Sequence, residues 1–201
     1  MTDPALDAAT AKLTADGAAS SVIAAFIDRY NRLASGETGY VYEADLEPLT
    51  NPPMLADQEL GDAATQALAQ TAVVRLNGGL GTSMGLAGPK CLIPVRDGLS
   101  FLDIVVRQIL AVREAHGVRL PLLLMNSYNT SAASLAALEA YPDLAVGSLP
   151  LEFVQSREPK LLADTRMPAS WPANPNLEWC PPGHGDFYPS LYASGLITRL
   201  L

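Results

Sequence analysis

Residues 71–90, TAVVRLNGGLGTSMGLAGPK, decide how this chain is read. Ala72, Val73, Val74, Arg75 and Leu76 form a short apolar run that Asn77-Gly78-Gly79 breaks. That is the pattern of a buried strand entering a glycine-rich loop. The loop carries five glycines, at 78, 79, 81, 85 and 88, with Thr82 and Ser83 inside it and Lys90 at its end. Glycine lets the backbone approach a phosphate closely, so successive N–H groups can face one anion. Lys90 adds a point charge for the same phosphates. A P-loop is excluded, because Pro89 precedes the lysine and Cys91 follows it. The dinucleotide fingerprint is excluded too, because Met84 stands where its third glycine belongs.

Downstream, Ser100 with Asp103 reads as a capping box that opens a helix with an apolar face of Phe101, Ile104, Val105, Ile109 and Val112. Leu120 to Met125 is a second buried strand, Ser131 to Tyr141 a second helix ended by Pro142, and Leu151 to Gln155 a third strand. Alternating strands and helices predict a mostly parallel sheet with helices on both faces. Ligands bind beyond the carboxyl ends of such strands, so the glycine loop and the segments after Met125 and Val154 belong to one edge. Residues 156–186 are proline-rich and read as a long irregular loop, and one last helix is expected from Asp186 through Leu196 to the end. Upstream, residues 1–19 read as a frayed helix or loose tail. Val22, Ile23, Phe26, Ile27, Tyr30 and Leu33 recur at helical spacing, and Gly36 and Gly39 stop that helix. Residues 40–53 form an extended connector, and helical spacing returns from Asp57 to Gln70 through Leu60, Ala64, Ala67 and Leu68. The chain thus divides into an acidic helical segment, 1–70, and an α/β part, 71–201.

Composition narrows the partners. The 201 residues are 49% hydrophobic and 17% charged, enough apolar content for a core. Residues 1–70 carry 11 acids and 3 bases, so the whole formal charge of −8 sits there, while 71–201 carry 10 of each. With no broad basic surface, nucleic acid is a poor partner, although a small anion needs only a few local donors. The acidic third is expected to serve as a solvated surface. No apolar run approaches the roughly 18 residues of a membrane span. No basic stretch leads into an apolar core at the N-terminus, so no signal peptide is expected. Cys91 and Cys180 make neither a disulfide framework nor a zinc site. The expectation is a cytoplasmic, reducing location.

Three further clusters could carry chemistry. In Pro181-Pro-Gly-His-Gly-Asp186, Gly183 and Gly185 flank His184 just before a helix, where N–H groups face an anion. Gln155-Ser156-Arg157 ends the third strand, and a glutamine amide can read a nucleobase edge with both a donor and an acceptor. Asn126-Ser127 ends the second strand; an ordinary polar strand end is the alternative for both.

With these residues in view, the chain resembles the eukaryotic-type UTP–glucose-1-phosphate uridylyltransferases, also called UDP-glucose pyrophosphorylases. The resemblance runs collinearly from about Val73 to Leu200 through LNGGLGTSMG, GPK, the FLDI segment after Ser100, PLLLMNSYNT, FVQSR and PPGHGDFYPSLYASGL. It implies a Rossmann-like nucleotidyltransferase domain preceded by a helical segment. It also implies a reaction in which MgUTP and glucose 1-phosphate give UDP-glucose and pyrophosphate. Carried over by position, Leu76, Asn77, Gly78 and Gly79 contact the nucleotide, and the rest of the loop wraps its phosphates. Lys90 holds those phosphates as the catalytic cation, Gln155 and Gly183 recognise the uracil, and His184 contacts the nucleotide or sugar phosphate. Cys91 stands where relatives often have serine. The family continues with a metal-binding Asp on a further strand, a sugar-binding region and a second lysine, none of them within residues 1–201. The Mg²⁺ it uses therefore has no protein ligand among these residues. The expectation is that the 201 residues bind UTP weakly and make no UDP-glucose, and that an unpaired sheet edge favours self-association into a homo-oligomer. A UDP-N-acetylhexosamine pyrophosphorylase is the nearest alternative, but its loop places an arginine after the threonine, where Ser83 and Met84 stand here. A regulatory module that senses UTP without turnover is the other.

Overall fold

The computed structural model describes residues 3–59, 61–81, 85 and 88–201. Its centre is a sheet of three parallel strands, β1 (Val73–Asn77), β4 (Leu122–Asn126) and β5 (Glu152–Val154), in the order β1-β4-β5. Every residue of β4 is buried, as expected of a central strand covered on both faces. Leu122 and Leu124 face a core completed by Leu102, Val106 and Ile109 of α4 (Phe101–His116) and Leu138 of α5 (Ser131–Leu138). Met125 faces the other way, onto Phe153 and onto Leu196 of α7 (Leu196–Leu200). The strands end level: Asn77 is opposite Asn126, and Asn126 is opposite Val154. Gly78, Ser127 and Gln155 are therefore the first residues past three adjacent strand ends.

The capping box is present. Ser100 Oγ accepts from Asp103 N at 3.2 Å, and the Asp103 carboxylate accepts from Ser100 N at 2.7 Å. Tyr141 Oη also donates to Asp103, at 2.6 Å. Ser100 Oγ also donates to the Asp103 carboxylate at 2.6 Å, and this side-chain bond first, then that from Tyr141, holds the Asp103 carboxyl below the ordinary aspartate value. A depressed folded-state value means the contribution is complete above the unfolded aspartate value and is lost as pH falls through the folded one. Asp103→Asn is expected to cost about 1 kcal/mol at neutral pH, as cap losses do. It should also flatten the acid limb of a plot of melting temperature against pH. An acid limb as steep as the wild type's would remove Asp103 from that account.

Several elements depart from the sequence reading. Residues 4–15 are not loose: α1 (Pro4–Ala15) is N-capped by Asp3, whose carboxylate accepts from Ala5 N at 2.9 Å, with Pro4 at the first turn. Its Ala5, Ala9 and Leu13 pack on Phe26 and Tyr30 of α2 (Ser20–Ala34), and on Trp179. The helix expected from Asp57 begins later, as α3 (Asp62–Ala69), behind a short 3₁₀ turn at Leu55–Asp57; Leu60 lies outside the described residues. Asp97-Gly98, both at positive φ, turn a small hairpin between β2 (Pro94–Arg96) and β3 (Leu99–Ser100). The stretch 156–186 contains an antiparallel pair, β6 (Glu158–Pro159) with β7 (Trp179–Cys180). The last helix is two, α6 (Phe187–Ala193) and α7, broken at Ser194-Gly195. Phe101, expected on the apolar face of α4, is 46% exposed, because the buried stripe of that helix runs through Leu102, Val106 and Ile109 and leaves Phe101 beside it.

The acidic third does more than solvate. Asp16 pairs with Arg157, Lys12 with Glu178, and Arg29 with Glu158, fastening α1 and α2 to the segment after β5. Among the described residues no helix is long and apolar enough to cross a membrane.

Candidate nucleotide-binding cleft

The glycine loop leaves β1 between fixed points. Thr130 Oγ1 donates to the Asn77 carbonyl at 2.8 Å, and Ser127 Oγ donates to the Gly78 carbonyl at 3.0 Å. In a trans peptide the N–H points away from the C=O, so both pinned carbonyls orient the N–H groups of Gly78 and Gly79. Neither N–H has a hydrogen-bond partner among the described residues. The loop then folds back on itself: Gly81 N donates to Gly88 O at 2.9 Å and Lys90 N to Gly79 O at 3.0 Å. That closure seats Lys90 beside Gly79, with its Cδ 3.7 Å from where a β-carbon on Gly79 would lie. Lys90 is exposed and makes no ion pair among the described residues. Thr82, Ser83, Met84, Leu86 and Ala87, the part of the loop expected to wrap phosphates, lie outside the described residues.

The Asn77 side chain turns inward. Its Nδ2 donates to Asn126 Oδ1 at 2.6 Å and to Ser134 Oγ at 2.9 Å, while Asn126 Nδ2 donates to Glu152 at 2.5 Å. This buried network ties β1, β4, α5 and β5 together under the cleft and engages the Nδ2 of Asn77.

Gln155 lies over Gly78. A β-carbon built on Gly78 would sit 2.6 Å from Gln155 Nε2, so only glycine allows this approach. The Gln155 backbone N–H continues the ladder, donating to Asn126 O at 2.8 Å. Its carboxamide makes no hydrogen bond among the described residues and is available to a ligand. Opposite, Gly183 stands at φ +96°, a conformation that side chains resist, and starts a 3₁₀ turn over His184–Asp186.

These parts enclose a cleft of about 640 Å³. Leu76, Asn77, Gly78 and Gly79 line it together with Lys90, Gln155, Gly183 and His184. All eight residues expected from the sequence thus meet in one place. The structure adds Arg75, Cys91, Ile93, Phe101, Met125 and Pro181 to the lining. The sequence reading assigned Phe101 to the core and treated Arg75 as part of an apolar run. The signal that could have found Arg75 is a lone charge inside an otherwise apolar run; β1, expected to be buried, is an edge strand of the sheet in which Asn77 alone is buried. With Arg75 and Lys90 present and no carboxylate among the described lining residues, the cleft favours an anion. Among the described residues no group of three or more His, Cys, Asp or Glu could hold a metal ion.

Behind Gln155, Arg157 anchors the N-terminal helices. Its guanidinium lies 4.5 Å from the Trp179 ring centroid and 5.8 Å from that of Tyr128. The hydrogen-bonded Asp16 carboxylate holds Arg157 above its usual pKa.

A family model described as UTP–glucose-1-phosphate uridylyltransferase matches residues 23–201. The chain is 39% identical over 183 residues to the UTP–glucose-1-phosphate uridylyltransferase of Solanum tuberosum, covering 88% of this chain and 38% of the relative. A probable enzyme of the same name from Schizosaccharomyces pombe is 43% identical over 144 residues, covering 71% and 28%. In structure the chain superposes on a mutant UDP-glucose pyrophosphorylase from Leishmania major, solved in complex with UDP-glucose. The TM-score is 0.91 at 37% identity, covering 100% of this chain and 42% of that one. The chain spans about two fifths of the length of the potato and Leishmania proteins.

Proposed function

The chain belongs to the UTP–glucose-1-phosphate uridylyltransferase family, and from that premise we propose that its cleft binds UTP for transfer of the uridylyl group to glucose 1-phosphate. One observation carries this reading: Lys90 beside Gly79 and the Gln155 carboxamide over Gly78, neither with a side-chain partner among the described residues, line one cleft that has no carboxylate among its described lining residues.

UTP enters as its magnesium complex, the metal arriving with the substrate. A phosphate oxygen of glucose 1-phosphate attacks the α-phosphorus, the bond from that phosphorus to the β-phosphate oxygen breaks, and pyrophosphate leaves. No protein nucleophile is required; the work is positioning and charge neutralisation. The N–H groups of Gly78 and Gly79 meet phosphate oxygens, and Lys90 balances charge as pyrophosphate departs. Gln155 pairs with the uracil edge while the Gly183 backbone borders the base, and His184 contacts the nucleotide or the sugar phosphate. Residues 71–201 form the nucleotide-binding part of the catalytic domain, with residues 1–70 packed on it as a helical segment.

The test is nucleotide preference. The wild-type chain should bind UTP in preference to CTP in an equilibrium titration. Gln155→Ala should weaken UTP binding roughly ten-fold and narrow that gap, because a site built to pair with a base edge rejects mismatched edges. A Gln155→Ala chain with the full wild-type preference would move the uracil contact elsewhere, Gly183 being next. No UTP preference in the wild type would overturn the reading.

A further inference from the structure

We propose that Asp186 is a positioning residue for base recognition, acting through Gln155; the assignment rests on the UTP reading above. Asp186 is the last residue of the PPGHGD segment and has 0% exposure, yet it is not part of the cleft lining. A buried carboxylate is tolerated only when its acceptor capacity is filled. Here Oδ1 accepts from Ser156 Oγ at 2.6 Å, and Oδ2 accepts from Ser156 N at 2.7 Å and from Ser190 Oγ at 2.5 Å.

The placement of these bonds is what gives Asp186 a role beyond filling the interior. The peptide joining Gln155 to Ser156 is the first beyond the β4–β5 ladder, since Gln155 N still bonds Asn126 O. Asp186 holds the N–H of that peptide at 2.7 Å, and Ser190 Oγ, itself bonded to Asp186, accepts from the same N–H at 3.0 Å. Fixing the plane of the peptide fixes the backbone turn at Gln155, and with it the direction in which the carboxamide leaves the chain and passes over Gly78. The same carboxylate follows His184 and Gly185 directly, in a turn closed by Asp186 N donating to Gly183 O at 3.2 Å. One buried group therefore sets the spacing between Gln155 and the Gly183–His184 turn, from segments thirty residues apart. Asparagine replaces it only in part: with its carbonyl oxygen on the Ser156 N–H its NH₂ must reverse the Ser156 Oγ bond, and the charge that strengthens all three bonds is gone.

The experiment is a double-mutant cycle on the 201-residue chain, with Asp186→Asn, Gln155→Ala and both together. UTP and CTP binding are titrated and melting temperature is measured in parallel. Asp186→Asn is expected to reduce the UTP-over-CTP preference about three- to ten-fold, the loss of roughly one hydrogen bond. In the Gln155→Ala background the same change should move the preference less than about two-fold, because the group it acts through is gone. Preference retained in Asp186→Asn, or two losses that simply multiply, would overturn the assignment while leaving the UTP reading intact. If Asp186→Asn does not fold, Ser156→Ala removes one of the three bonds, that of Ser156 Oγ to Oδ1, and keeps both the charge and the peptide N–H. It must then narrow the preference in part, and full preference would overturn the assignment. A wild-type chain without UTP preference overturns the UTP reading, and this one with it.

Discussion

Lys90→Ala is expected to weaken UTP binding roughly ten- to a hundred-fold with an unchanged melting temperature, the range of a lost charge-assisted contact. Lys90 is exposed and makes no ion pair among the described residues, so no fold contact goes with its ammonium group. Its backbone N–H, which closes the loop on Gly79, survives the substitution. The neighbouring donors of the loop are neutral N–H groups, and the other cation of the lining, Arg75, enters from the strand. The loss should be largest at low ionic strength and shrink with added salt, as exposed charge interactions do. Lys90→Arg should rescue only in part, because a planar fork does not reproduce a compact ammonium. Titration of UTP into wild type and variant at two salt concentrations, with melting curves, decides it. Equal affinities would take Lys90 out of the phosphate site.

Gly78→Ala is expected to leave the fold nearly intact and yet cost UTP affinity about ten-fold, the size of a lost polar contact. The new methyl group would sit 2.6 Å from Gln155 Nε2 and 3.1 Å from both Cδ and Oε1, closer than real contacts allow. What it strikes is the far end of a flexible side chain, so the clash is relieved by rotating Gln155 rather than by unfolding β1. Gly78 is not among the glycines at positive φ, so alanine meets no backbone strain there. The cost falls on the amide, which must leave the position facing the cleft. The variant should therefore mimic Gln155→Ala in nucleotide preference while melting close to the wild type. A large drop in melting temperature would mean that the loop, not Gln155, absorbs the methyl group. Unaltered UTP preference would mean that the rotated amide still reaches the base.

Much of this was decided by short-range patterns. The apolar run before Gly78 made β1, the consecutive leucines of Leu122–Leu124 made a strand buried on both faces, and Ser100 with Asp103 opened α4, because each signal is complete within a few residues. The gathering of the glycine loop and Gln155 was also legible, while Gly183 and His184 were assigned to the site by the family resemblance alone. A parallel sheet sends the carboxyl ends of its strands to one edge, and Gly78, Ser127 and Gln155 are the residues just past those ends. Tertiary structure decided what rests on distant partners. Residues 4–15 are a firm helix because Phe26, Tyr30 and Trp179 cover an otherwise weak face of alanines. Glu158–Pro159 pairs with Trp179–Cys180 across a proline-rich stretch that carries no periodicity of its own. Asn77 follows an apolar strand and precedes two glycines, a context that suits a ligand contact. Its amide turns inward because Asn126 and Ser134 come from other parts of the chain to meet it. Asp186 likewise reads as an ordinary helix-start acid, and only the folded chain brings Ser156 within reach of its carboxylate. Local periodicity specifies the elements. The polar groups buried between them take their roles from partners that folding alone supplies.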